Sequence, residues 1–293
     1  MTPLLRYRQQ PPHPGVSRRG DRILAGIGFS EAHISPLPSK VSAWVGAGMV
    51  RITPERYEIG RVGGGRRGAI SGFSKWSRRR LLRLLGMVRK DAPLPLFITL
   101  TYPATFPSAA QSKRDLDAFL KRLARAYPAA SAIWRLEAQK RGAPHYHLLV
   151  WGTGFVPHQW VAQSWYDVVG SGDEKHLAAG TRVERVRSWR GVWSYTSKYI
   201  AKASIPPDSE LWKNPGRFWG IHNRAALPIV EPTVVTISQR TYWRLQLRML
   251  KERGKVFEAG HCWTITHFCD DPHIWVARAL RLDPDPHIQD WKS

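Results

Sequence analysis

The sequence has few cysteines, no long apolar run and no apolar N-terminal leader. Its 293 residues include two cysteines, too few for a disulfide framework and typical of a reducing compartment. No apolar stretch approaches the roughly 20 residues that a membrane-spanning helix needs. After Leu4 and Leu5 the N-terminus turns to Arg, Gln and Pro, unlike a secretory signal peptide. These absences predict a cytoplasmic protein with no membrane partner.

Acidic residues are also scarce relative to basic ones. The chain has 45 Lys and Arg against 22 Asp and Glu, a formal net charge of +23. Residues 1–90 alone hold 18 basic and 4 acidic side chains. Such an excess favours binding to a polyanion through phosphate contacts, so the composition points to nucleic acid.

Three regions follow from composition. Residues 1–70 are rich in Pro, Gly and Arg and are predicted to be a basic, partly flexible region. Residues 71–253 carry the regular hydrophobic periodicities and are predicted to form the main domain, and residues 254–293 a C-terminal extension.

Within the main domain the periodicities alternate between helix and strand. Ser74 or Ser77 is expected to cap a helix that runs to about Arg89, and Ser108 a second helix. The predicted strands are 96–102, 131–138, 145–151, 181–187 and 233–238, and the predicted helices are 74–89, 108–127, 158–168, 190–203 and 239–253. The order predicts an α+β fold, a mainly antiparallel central sheet with helices packed on it.

Two histidines and a glutamate form the first candidate site. His145 and His147 are two residues apart on a strand, so both project from one face. Glu137, on the preceding strand of a predicted hairpin, can lie across from them. Two imidazoles and a carboxylate suit a divalent metal, Zn²⁺ included, and a phosphodiester substrate favours Mg²⁺ or Mn²⁺. The plain alternative is a pair of hydrogen-bonded strand histidines.

Two tyrosines form the second candidate site. Tyr195 and Tyr199 are one turn apart on a predicted helix, and Lys198 and Lys202 each follow a tyrosine by three. Tyrosine is a weak nucleophile near neutral pH and needs positive charge nearby. The plain alternative is that both tyrosines belong to the core face of an amphipathic helix.

A third set is basic. Arg78, Arg79, Arg80 and Arg83 crowd one predicted helix, either as a solvated face or as phosphate contacts.

Together, these motifs resemble the HUH endonucleases, in the rolling-circle replication initiator branch of the two-tyrosine type that includes the gene A proteins of small phages. Residues 97–101 resemble the first motif of that family, 144–147 its histidine motif and 195–199 its nucleophile motif. The resemblance implies an RRM-like palm fold, metal ligands at Glu137, His145 and His147, and nucleophiles at Tyr195 and Tyr199. With it we assign Thr99 and Thr101 to DNA contact.

The resemblance also implies an activity and partners. The expected reaction is nicking and rejoining of single-stranded origin DNA through a 5′-phosphotyrosine link, in the cytoplasm of a bacterial host. The sequence has no Gly-x-x-x-x-Gly-Lys-Ser/Thr motif, so unwinding is expected from a host helicase, and synthesis from a host polymerase.

Three other functions stay open at this point. A transposase or relaxase would use the same chemistry. A non-catalytic nucleic-acid-binding protein would stack bases on sheet aromatics, and a metal-dependent hydrolase would use activated water.

Overall fold

The structure is a computed structural model that describes residues 41–54, 70, 72–189, 192, 209–252, 265–269 and 271–280. Nine strands and six α-helices lie within these ranges. The strands are β1 (Val41–Val45), β2 (Met49–Pro54), β3 (Leu96–Thr101), β4 (Ser131–Ala138), β5 (Pro144–Trp151), β6 (Thr181–Arg185), β7 (Trp219–His222), β8 (Thr233–Ile237) and β9 (Ile265–Phe268). The helices are α1 (Lys75–Gly86), α2 (Ser112–Ala126), α3 (His158–Val169), α4 (Glu174–Ala179), α5 (Gln239–Glu252) and α6 (Pro272–Leu280).

The predicted antiparallel sheet is confirmed. Its five strands run in the order β6-β3-β5-β4-β7, and every neighbouring pair is antiparallel. Apolar residues alternate along β3, β4 and β5, so one sheet face is apolar and can be buried. The predicted α+β class is therefore correct.

Helices α2 and α3 cover that apolar face. Leu116, Phe119 and Leu123 of α2 recur at helical spacing and are buried. Phe119 contacts Trp165 of α3 edge to face, with ring centroids 6.0 Å apart. The Tyr146 hydroxyl, which points from β5 into this layer, lies 2.7 Å from the Ser112 hydroxyl. The central strands are thus anchored from the side opposite the histidines.

A second, four-stranded sheet was not expected. Its order is β8-β1-β2-β9, and its strands are also antiparallel. Tyr242, Leu245 and Met249 of α5 pack on its inner face. Residues 41–54 supply its two middle strands, so this sheet crosses the boundaries predicted near residues 70 and 253.

The turn between β1 and β2 joins the two sheets through α1. The Gly48 amide donates to the Gly86 carbonyl at the end of α1 (3.1 Å), and the Cys269 amide after β9 donates to the Gly48 carbonyl (3.3 Å). A Cβ atom at Gly46 would lie 2.6 Å from the Gly86 carbonyl oxygen. Glycine at position 46 therefore permits the close approach of the turn to α1.

Several predicted element ends need correction. The first helix is capped by Ser74, whose hydroxyl accepts from the Ser77 amide, but it ends at Gly86 rather than Arg89. Ser108 accepts from the Gln111 amide in the preceding turn, and α2 begins at Ser112. The sequence did not predict α4, β7, β9 and α6.

In the part of the chain that the structure describes, no helix is both long enough and apolar enough to cross a membrane.

Candidate metal and nucleophile site

The hairpin of β4 and β5 brings the predicted metal ligands onto one sheet face, which we call the histidine face. In the register Glu137 lies opposite His145, and Arg135 opposite His147. On the other side of β5, Thr101 pairs with His145 and Thr99 with His147. Because side chains alternate along a strand, all six project to the same side. The sequence predicted the Glu and His members of this row correctly.

Each threonine lies against a histidine ring. The Thr101 hydroxyl is 3.0 Å from Nδ1 of His145, and the Thr99 hydroxyl is 3.4 Å from Nδ1 of His147. Such contacts fix the ring orientation and leave Nε2 to face outward for another ligand. Contact of the two threonines with DNA stays a prediction.

Glu137 is held at both carboxylate oxygens. Nε of Arg135 donates to Oε1 at 2.9 Å, and Nε2 of His147 lies 3.4 Å from Oε2. Burial by itself raises the pKa of Glu137, but the His147 contact and the Arg135 charge together hold that pKa below its ordinary value. Glu137 is therefore an ionised, oriented carboxylate.

Arg135 is a part of the site whose role the sequence did not reveal. Its side chain is buried, and its guanidinium lies 4.1 Å from the centre of the Phe73 ring. Burial lowers the pKa of Arg135, and the Glu137 carboxylate partly restores it. The Arg-x-Glu spacing on one strand was the available signal, since residues two apart share a face.

His145 is neutral across the physiological range. Burial, followed by the proximity of His147, lowers the pKa of His145 to about 3. A neutral imidazole is the form that binds metals.

The donor set fits a divalent cation in chemical type. One carboxylate and two imidazoles share a face, and the two imidazole centroids are 4.5 Å apart. Among the described residues, however, no three His, Cys, Asp or Glu side chains form a ready-made metal-binding group. The Glu137 carboxylate is instead held by Arg135 and His147, so it would have to exchange the His147 contact for the ion.

The turn between β4 and β5 is secured from two sides. Arg141 donates from its guanidinium to the Tyr102 and Pro103 carbonyls after β3, both at 2.5 Å. The Trp212 indole donates to the Gly142 carbonyl at 2.8 Å. These bonds fix the strand ends that carry Glu137 and His145.

Tyr195, Lys198, Tyr199 and Lys202 lie outside the described residues. The part of the predicted helix that is described is its beginning, where the Val192 amide donates to the Ser188 carbonyl at 3.0 Å, as in a helical turn. The Val192 side chain is buried in the core of the five-stranded sheet.

The predicted arginines lie on α1, beside the histidine face. The Trp219 indole of β7, paired in register with Arg135, donates to the Ser77 hydroxyl at 2.8 Å. Arg79 and Arg80 are exposed, and Arg78 and Arg83 are half-buried. The structure thus brings the start of α1 next to the candidate ligands.

Comparison with known proteins identifies the class that this site resembles. Residues 95–204 match a family model of replication-associated proteins, the ORF2 family. This range includes every predicted metal ligand and both predicted nucleophiles.

Individual relatives extend the similarity. The chain is 31% identical over 170 residues to a "putative replication protein" of Xylella fastidiosa (strain 9a5c), which covers 53% of this chain and 57% of that protein. It is 27% identical over 213 residues to a replication-associated protein of Pseudomonas phage Pf3, covering 67% and 72%. The chain therefore spans less than two thirds of the first relative. It is distantly homologous to replication proteins, and no solved structure matches it.

Proposed function

We propose that this protein initiates replication by nicking and rejoining single-stranded DNA at an origin. The observation that carries the proposal is the histidine face itself. An ionised Glu137, a neutral His145 and His147 stand together on the central strands, inside the segment that matches the replication protein family.

The proposed reaction is a transesterification. The phenol oxygen of Tyr195 or Tyr199 attacks the phosphorus, the bond to the 3′-oxygen breaks, and a proton passes to the leaving 3′-hydroxyl. The product is a 5′-phosphotyrosine, so the phosphodiester bond energy is retained without ATP. The second tyrosine then cleaves the regenerated origin, and the released 3′-hydroxyl attacks the first phosphotyrosine and closes the circle.

The residues of the chain have distinct parts in this proposal. Glu137, His145 and His147 would hold Mg²⁺ or Mn²⁺, which neutralises phosphoryl charge when bound. Arg135 orients the carboxylate, and Thr99 and Thr101 orient the rings. Lys198 and Lys202 supply positive charge near the phenols, and the arginines of α1 bind neighbouring phosphates. A host helicase and polymerase would complete the replication cycle.

The test uses the full chain, Mn²⁺ and single-stranded oligonucleotides that tile the replicon encoding the protein. We expect a covalent protein–DNA adduct that denaturing gel electrophoresis detects and that EDTA prevents. The double variant Tyr195→Phe, Tyr199→Phe is expected to form none while still binding DNA.

The alternatives give different results. An adduct from the double variant would refute the nucleophile assignment. Cleavage without any adduct would indicate a hydrolase that uses water. DNA binding that is unchanged when His145 and His147 are both replaced, with no cleavage by the wild type, would indicate a non-catalytic binding protein.

A further inference from the structure

A cluster of arginines and tryptophans lies where α1 meets the outer face of the four-stranded sheet. Trp44 of β1 is paired in register with Arg51 of β2, and the Arg83 guanidinium stacks 3.9 Å above the Trp44 ring. On α1 the Arg79 guanidinium lies 5.1 Å from the Trp76 ring centre. We call these five residues the arginine–tryptophan surface.

The helical spacing explains why they meet. Trp76, Arg79 and Arg83 are three and four residues apart, so they share one side of α1. The opposite side holds Leu81, Leu84 and Leu85, which are buried. Since Arg83 reaches over Trp44, the α1 face and the outer sheet face form one surface.

The outer sheet face continues this surface with neutral side chains. The register places Val234 of β8, Trp44, Arg51 and Thr266 of β9 in one row across all four strands. Val234 is half exposed. The row therefore combines apolar, aromatic, cationic and hydroxyl groups, and it has no carboxylate.

The positive charge of this surface has no counter-ion within the described part of the chain. Arg51, Arg79 and Arg83 form none of the described ion pairs, and the α1 sequence has no acidic residue. Nε of Arg51 is buried without a hydrogen-bond partner. Burial, and then the charges of Arg83 and Arg79, lower the pKa of Arg51. Gathering guanidinium groups without an acid is costly, and a phosphate offsets that cost with charge-assisted hydrogen bonds.

Trp76 adds a second feature that points to nucleic acid. Its side chain is 63% exposed, unusually open for a tryptophan. Exposed aromatic rings flanked by arginines are the arrangement on which unpaired bases stack.

We propose that the arginine–tryptophan surface is a second binding site for single-stranded DNA, in which Arg51, Arg79 and Arg83 bind phosphates and Trp76 stacks on a base. The surface adjoins the histidine face through α1, because Ser77, at the start of that helix, already contacts β7 beside Arg135. The inference rests on the proposed function for the identity of the strand, and it assigns the four-stranded sheet a role in holding DNA beyond the cleavage site.

The experiment measures DNA binding without cleavage and then cleavage itself. The full chain in EDTA is titrated against a fluorescent single-stranded oligonucleotide at several salt concentrations. In Arg79→Gln, Arg83→Gln we expect the slope of log K against log salt to fall by roughly 1.4, since a single strand releases about 0.7 counter-ion per phosphate contact. In Trp76→Ala we expect affinity to fall about tenfold with the slope unchanged.

The matched control is Arg114→Gln, Arg125→Gln on α2. Both residues are exposed, the change in charge is the same, and α2 lies on the sheet face away from the histidines. Equal losses of slope in the two double variants would overturn the proposal, because the effect would then be one of net charge alone.

Adduct formation separates the two proposals. We expect Arg79→Gln, Arg83→Gln to form the Mn²⁺-dependent adduct normally with a short oligonucleotide that covers only the cleavage site, and poorly with limiting amounts of a longer one. If the wild type forms no adduct while the binding results hold, the proposed function fails and the second DNA site stands. If adducts form and the binding results fail, the second site is refuted and the proposed function stands.

Discussion

His145 and Glu137 show how neighbouring side chains set the charge state of a group that sequence alone identifies only by type. The His-x-His pattern predicted two imidazoles on one face, and the hairpin predicted the carboxylate opposite. The sequence could not predict that Arg135 would hold Glu137, or that burial would keep His145 neutral. Those outcomes depend on packing by residues distant in the chain, such as Phe73 under Arg135.

The depressed pKa of His145 makes the stability of the protein dependent on pH. An unfolded histidine gains a proton near pH 6.5, whereas folded His145 does so only near pH 3. Below pH 6.5 the unfolded state therefore binds more protons, and the free energy of unfolding decreases as pH falls, by up to about 1.4 kcal/mol per pH unit for one such group. In EDTA, His145→Asn is expected to show a shallower slope in urea unfolding between pH 6.5 and 4.5.

The window ends at 4.5, the ordinary pKa of a glutamate, because the lowered pKa of Glu137 adds its own loss of stability below that value. His273→Asn, at an exposed position of α6, controls for the loss of any one histidine. An unchanged slope in His145→Asn would contradict the prediction.

At the scale of elements, the hairpin turn between β4 and β5 determines where the candidate ligands stand. Its backbone closes by hydrogen bonds from Gln139 to Ala143 and from Gly142 to Gln139, both 2.9 Å. Gly142 has a φ of +85°, in the left-handed region. The bonds from Arg141 and Trp212 hold the turn in place.

Gly142→Ala is predicted to disturb the site through the backbone alone. A Cβ atom there would meet nothing within 4 Å, so the cost is conformational, about 1–2 kcal/mol. Gly154→Ala is the matched control, with a φ of +62° and the same open space. Both should lower the free energy of unfolding similarly in urea. Only Gly142→Ala should reduce adduct formation, and equal activity in both variants would show that the turn does not position the ligands.

The elements that the sequence predicted are those whose periodicity is long enough to read. Strands β3 to β6 and helices α1, α2, α3 and α5 appear within a few residues of their predicted bounds. Helix α4 has six residues and β7 has four, including Gly220, so neither shows a full period. Strands β1 and β2 lie in a Pro-, Gly- and Arg-rich region, and their partner strands come from residues beyond 232, a pairing that local periodicity cannot show.

On the scale of the whole molecule, the two sheets depend on one narrow contact at α1. The Gly46→Ala change would place a Cβ against the Gly86 carbonyl, a backbone atom that cannot rotate away. We expect a loss of about 1–3 kcal/mol, with faster amide hydrogen exchange at Gly48 and Cys269, whose bonds span the contact. Because this change separates Trp44 from Arg83, it should also weaken binding of single-stranded DNA in EDTA. Unchanged exchange at both amides would show that the turn adapts without moving α1.

The pairing of β1 with β8 has a consequence for synthesis of the protein. Val41 pairs with Ile237, so the β1–β2 hairpin leaves the ribosome long before its partner strands exist. At roughly 5–20 residues per second, the intervening chain takes on the order of ten to forty seconds to emerge. During that interval the apolar face meant for α5 is uncovered in the nascent chain, and the four-stranded sheet cannot close. The protein therefore completes its second sheet only when translation is nearly finished, which makes this hairpin the segment most dependent on chaperones.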